Sequence, residues 1–128
     1  MKTTKIIFWT TTTLIFLFEG VMPALFSQSE AGKEGIRHLD YPQYFGITLA
    51  IMKVAGALCL ILPMVPARVK EWAYACFGIE FIFASVSHAV KDGFGGQAIF
   101  PLIVLAVLII SYLSYHKLNA EMRQTSLA

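Results

Sequence analysis

The sequence predicts an all-α fold, a four-helix transmembrane bundle with both termini in the cytoplasm, and three observations predict it. The 128-residue chain is 57% hydrophobic and only 14% charged, with mean hydropathy +0.67, where a soluble domain carries about 25% charged residues. Its apolar residues gather into four runs, each close to the roughly 20 residues a helix needs to cross about 30 Å of hydrocarbon. Its charges fall between those runs, with a small set of exceptions inside them.

The first run spans about Ile6 to Phe26, the second about Tyr44 to Leu62, the third about Trp72 to Val90 and the fourth about Ala98 to Tyr115. Turn-forming residues separate them. Ser27 to Tyr41 contains Gly32, Gly35 and several charges and reads as a loop. Pro63-Met64-Val65-Pro66 closes the second run, and Asp92-Gly93 with Gly95-Gly96 closes the third. Helices are expected because lipid cannot satisfy an open backbone, and the runs lack the alternation of barrel strands. Lys2 and Lys5 ahead of an apolar stretch also suit a secretory leader. That stretch is long, however, Glu19 interrupts it and no A-x-A site follows, so it reads as a retained span. The whole chain, 1–128, is expected to be one domain, with no room for a separate soluble catalytic unit.

Lysine and arginine set the expected orientation. Lys2, Lys5, Arg68, Lys70, Lys117 and Arg123 fall at the N-terminus, second loop and tail; Lys33, Arg37 and Lys91 fall in the first and third loops. The excess places both termini inside. Trp9, Trp72, Tyr74, Tyr112 and Tyr115 would ring the inner interface, with Tyr41 and Tyr44 at the outer one.

Several function classes drop out. A net charge of +2, with no basic run interleaved with aromatics, argues against a nucleic-acid partner. Cys59 and Cys76 form no CxxC and read as small buried packing residues. There is no phosphate-cradling glycine loop after a strand, no nucleophile elbow, and no HExxH or paired-histidine haem spacing. No catalytic residue and no metal site is assigned. Thr10 to Thr13 are expected to bond backbone carbonyls one turn back, and His38 and His116 read as loop and boundary residues.

The informative residues are Glu19, Lys53, Glu80 and His88, all inside spans. An ionisable group at mid-bilayer costs at least ~2.5–3.5 kcal/mol, so it should face protein or water and find a partner. At 1.5 Å per residue, Glu19, Lys53 and Glu80 lie about 10, 13 and 15 Å below the outer boundary, and His88 within roughly 5 Å of it. All four thus share the outer half. Gly46, Ala50, Lys53 and Ala57 form one helical stripe, and Ala73, Cys76, Glu80, Ala84 and Ser87 another. Small residues on such stripes let backbones approach in lipid. Pro23, lacking an N–H, frees the carbonyl of residue 19. Two readings stay open: a Lys53–Glu19–Glu80 ion-pair network that only registers the helices, or an intramembrane ligand or proton site. One lysine cannot fully neutralise two close carboxylates, and the surplus acid puts the second reading on a level with the first.

Several motifs give a family resemblance. They are His38-Leu39-Asp40-Tyr41-Pro42-Gln43-Tyr44 before the second span, Lys53-Val54-Ala55-Gly56 within it, and Leu62-Pro63 at its end. Lys70-Glu71-Trp72-Ala73-Tyr74-Ala75 opens the third span and Ser87-His88 ends it. Over about residues 8 to 115 the chain resembles the DoxX-like family of small four-helix membrane proteins. Asp40 stands where that family usually has glycine, and Cys76 where glycine is common. The resemblance implies a bacterial cytoplasmic membrane protein. Wider relatives include a membrane subunit of thiosulfate:quinone oxidoreductase, a component of an oxidative-stress complex and assembly helpers, and no common catalytic set carries over.

The preferred expectation is a non-catalytic accessory or ligand-binding protein in which Lys53 holds Glu19 and Glu80 while His88 gates the outer mouth. Its partners would be the lipid bilayer, a membrane-protein or redox subunit, or a second copy of the chain. The first alternative is a quinone-interacting subunit of an oxidoreductase, with quinone as the cofactor and Phe77, Phe81, Phe83 and His88 forming an apolar slot. A proton-coupled transporter is the second.

Overall fold

The computed structural model describes residues 2–127, with side chains through residue 124. The two ends of the predicted 1–128 domain lie outside the described residues. Among those described there is no strand, and four helices are long and apolar enough to cross a membrane. The first span joins α1 (Lys2–Phe16), a π-helical turn (Leu17–Val21) and α2 (Met22–Phe26). A short α3 (Glu30–His38) follows, then α4 (Gln43–Ile61), α5 (Ala67–Asp92) and α6 (Gly96–Leu127). Helix α6 packs on both α1 and α5, α4 packs on α5, and the π turn packs on α4. Large apolar side chains such as Leu25, Ile51, Val90 and Leu113 cover the outside, where lipid rather than water is the compatible solvent.

Proline and glycine explain the irregular parts of the first span. Pro23 has no N–H to continue the ladder, and the turn before it widens, with the Met22 N–H reaching back five residues to the Leu17 carbonyl. Gly20 sits in this turn, where a Cβ would come within 2.9 Å of Ala57 Cβ on α4. The wide turn and the missing side chain thus bring the two backbones together and aim Glu19 inward.

The segment expected to be a loop contains α3, which corrects the sequence reading. Its signals are orthodox ones. Ser29 is extended (φ −70°, ψ 162°) and its Oγ accepts the Gly32 N–H at 3.2 Å, an N-cap. Glu30 lies in the first turn and Arg37 and His38 in the last, each favoured by the helix dipole. At the other end Asp40 N–H bonds the Arg37 carbonyl and Tyr41 N–H the Ile36 carbonyl, at 3.0 and 3.1 Å, with Asp40 at φ 65°. This is a Schellman closure, which calls for a left-handed residue just past the helix. Aspartate is among the few non-glycine residues that tolerate the conformation. The two glycines that suggested a loop have different roles. A Cβ on Gly32 would lie 2.5 Å from the Phe26 carbonyl oxygen and 2.7 Å from that of Ser27, whereas one on Gly35 would meet nothing within 4 Å.

Four further expectations change. Helix α6 runs well past Tyr115, and its extension is held by buried Leu118 and by Thr4 Oγ1 donating to Glu121 Oε1 at 3.0 Å. Tyr74 is in the core rather than at the interface: its hydroxyl lies 2.8 Å from Ser111 Oγ, which is 2.7 Å from Thr12 Oγ1. Thr11 does bond backbone one turn back, but Thr12 turns to this inter-helix network, which ties α1, α5 and α6 where lipid offers no other partner. Cys76 is exposed on the outside of α5 instead of buried.

Lys70 also departs from its role as a loop charge. It lies in the first turn of α5 and is 6% exposed; its ammonium donates to the carbonyls of Cys59, Leu60 and Leu62 at 2.8, 3.0 and 2.8 Å. Helix α4 stops at Ile61 because Leu62 precedes proline and is extended. The lysine satisfies the carbonyls left there and complements the negative end of the dipole.

Two measurements check this account. Gly32→Ala should lower stability by about 1–3 kcal/mol, the usual cost of overpacking, whereas Gly35→Ala should be neutral or stabilising; equal thermal midpoints for the two variants in detergent would contradict the contact geometry. Lys70→Met should lower the midpoint by the equivalent of roughly 1–3 kcal/mol, because buried carbonyls lose their donor, and an unchanged midpoint would mean that water caps this helix end.

Candidate functional site

Three elements converge on Lys53. The π turn supplies Glu19, α4 supplies Lys53 and α5 supplies Glu80. Lys53 Nζ lies 3.1 Å from Glu19 Oε2 and 3.0 Å from Glu80 Oε1. The three side chains are 10–23% exposed, so they are largely withdrawn from the surface that lipid covers. Glu19 Oε2 is buried and, despite its proximity to the ammonium, accepts no well-aligned hydrogen bond. Two carboxylates and one ammonium leave this group with a formal charge of −1 when all are ionised. The widened turn before Pro23 and the close approach of Gly20 to Ala57 place the Glu19 carboxylate there. The small residues beside Lys53 and Glu80 leave room for it.

A cavity of about 300 Å³ opens beside the triad between α3, α4 and α5. Lys53 and Glu80 lie on its wall together with Ala84, Ser87 and His88, and Ile36 of α3 closes part of the opposite side. His88 therefore shares the cavity with the triad but is not one of its ion-pair partners. It approaches Asp92 instead, Nδ1 to Oδ2 at 3.8 Å, one turn further along α5. Nδ1 is buried and has no hydrogen bond.

Several residues at this end were not singled out by sequence reasoning. His38 Nε2 lies 2.7 Å from Asp92 Oδ1, so Asp92 stands between two histidines. Asp40 pairs with Lys91, and the Tyr41 hydroxyl lies 2.8 Å from Ser87 Oγ. Tyr41 also stacks on Phe45, ring centroids 4.4 Å apart. His38, Asp40 and Tyr41 thus each clasp the last turns of α5, and together they hold α3 over the cavity. The signal was present in that motif: three polar residues within four positions, next to a span ending in Ser87, Lys91 and Asp92. His116, read as a boundary residue, pairs with Glu71 at the opposite end of α5.

The three phenylalanines proposed for a quinone slot do not share one face. Phe77 and Phe81 stack on each other in the core, both 3% exposed, while Phe83 is 64% exposed and lies on the cavity wall with His88. A helix repeats every 3.6 residues, so positions 77 and 81 share a face that position 83 does not. No group of three or more His, Cys, Asp or Glu residues suited to a metal ion occurs among the described residues.

The sequence profile of the DoxX-like family matches residues 7–111. That stretch takes in the π turn, the triad, α3 with its clasp, the first three spans and the fourth as far as Ser111. No curated protein and no solved structure matches the chain significantly. With the family matched over most of its length and the four spans in place, the chain belongs to the DoxX-like family.

Proposed function

We propose that the protein is a non-catalytic accessory or ligand-binding component of a bacterial cytoplasmic membrane, with both termini on the cytoplasmic side and the triad in the outer half of the bilayer. The lysine and arginine distribution supports that orientation. In this reading Lys53 holds Glu19 and Glu80, the cavity beside them takes a small ligand, and His88 stands at its mouth.

The observation that carries the reading is that Lys53 and Glu80 line an open cavity. A network that only registered helices would gain most from being packed shut, because every void forfeits contacts and the low dielectric strengthens a closed pair. Here the charges instead border a space of about 300 Å³ under a short helix held by polar contacts. Pockets for small molecules have this character, mostly apolar walls with a few fixed polar groups.

Lys53→Ala should sharply reduce accumulation in the membrane, because removing one partner of a buried ion pair costs about 3–5 kcal/mol. The neutral combination Glu19→Gln, Lys53→Met and Glu80→Gln should recover accumulation, since replacing such a network whole is often neutral or stabilising. Native mass spectrometry of the purified proteins then separates structure from function. A small molecule retained by the wild type and lost from the neutral variant is the expected result. Normal accumulation of Lys53→Ala would remove the network, and equal retention by both proteins would remove the ligand site.

A further inference from the structure

The cavity beside the triad has a neighbour that the proposed function leaves unused. A second crevice, of about 350 Å³, runs along the outside of α4 and α5. Its walls are apolar and include Met52, Ala55, Gly56, Trp72 and Cys76. Leu49 and Glu80 line both spaces. The two therefore adjoin at Leu49 and Glu80: a chamber with a few polar groups towards His88, and an apolar channel running in the opposite direction along α5 towards Trp72. Small residues, Ala55, Gly56, Ala73 and Cys76, alternate there with Leu49, Met52, Trp72 and Phe77, so the crevice lies between large apolar side chains.

The charges around the chamber favour one sign of ligand. The triad has two carboxylates to one ammonium. At the end of α5 beside it, Asp92 stands between His38 and His88, and Lys91 is already paired with Asp40. Tyr41 and Phe45, stacked at the chamber wall, add π faces of the kind that attract cations. An incoming cation would balance the surplus carboxylate with no further rearrangement of Lys53, whereas an anion would have to compete with two acids for one ammonium. An apolar channel leading away from this group suits a single hydrocarbon chain.

Resting on the reading of the cavity as a ligand site, we infer that its ligand is a single-chain amphiphile with a cationic, amine-type head, the head beside Glu80 and the chain along the α4–α5 crevice. The carboxylate then accepts a charge-assisted hydrogen bond from the head, and the chain removes the crevice walls from contact with mobile lipid. Ordinary bilayer lipids have two chains where the crevice suits one, and any ammonium in their heads comes with a phosphate that would sit beside the carboxylates.

The full chain in phosphatidylcholine nanodiscs can be tested with dodecylamine, dodecanol and laurate at matched mole fraction, and with butylamine, reading the thermal midpoint and the occupancy in native mass spectrometry. Dodecylamine should raise the midpoint and bind about tenfold or more tightly than the alcohol or the acid, a gap the charge-assisted contact readily supplies. Butylamine should bind weakly. Glu80→Gln leaves Lys53 paired one to one with Glu19, so the protein should still fold, and its preference for the amine over the alcohol should vanish. Ala55→Trp, which fills the crevice, should weaken dodecylamine without affecting butylamine. Laurate or dodecanol binding as well as the amine would overturn the inferred head group and leave the ligand site standing, and indifference to Ala55→Trp would overturn the placement of the chain. No binding of any of the four probes would overturn this inference while leaving the proposed site to be judged by the molecule retained from the cell.

Discussion

Placing an ammonium within a bilayer is tolerable only if acids reach it before lipid does, and the arrangement of the first three spans follows from that requirement. Lys53 cannot face outward on α4 without exposing its charge to hydrocarbon, so α4 must turn the Lys53 face towards α5 and the first span. Glu80 meets it from α5 through a stripe of small residues. Glu19 meets it from the first span only because Pro23 widens the turn before it and Gly20 lets that turn approach Ala57. Proline, glycine and the charged triad therefore form a single device: each small or irregular residue brings a carboxylate within reach of one nitrogen.

The remaining polar contacts follow the same logic at other depths. Thr12, Ser111 and Tyr74 share hydrogen bonds in the core and bring in α6, which the triad does not reach. Lys70 folds over the end of α4 and satisfies three carbonyls in one place. Ser85 donates to the Ala98 carbonyl at 2.7 Å and joins α5 to the start of α6. In a medium that offers a polar group no alternative partner, each such contact also selects which helix faces meet. The exterior can then be uniformly apolar, because specificity has been moved inside.

Around the cavity, stability and function pull in different directions. The sequence could have closed the space beside Lys53 with larger side chains; instead Ala84, Gly35 and Ser87 leave it open and α3 covers it. The contacts that hold α3 are largely exposed pairs, His38 with Asp92 and Asp40 with Lys91, and such pairs are individually weak. A cover held in this way can open without disturbing the buried triad, as the proposed ligand site would require.

Much of this was legible in the chain itself. Span number and approximate limits follow from hydropathy, since a bilayer of fixed thickness demands helices of fixed length. The meeting of Glu19, Lys53 and Glu80 could be anticipated from depth alone, because opposite charges at one level in lipid have few other places to go. Helix α3 escaped because Gly32 and Gly35 look like breakers; one of them is there for a close backbone contact that exists only once the chain has folded back on Phe26 and Ser27. The grouping of His38 and His88 about Asp92, the burial of Tyr74, the turning of Phe77 and Phe81 away from Phe83, and the crevice beside Glu80 were decided by tertiary structure. Hydropathy fixes which segments enter the membrane and how deep each residue lies, but the rotation of each helix about its own axis is set by contacts with its neighbours, and that rotation determines which side chains share a cavity.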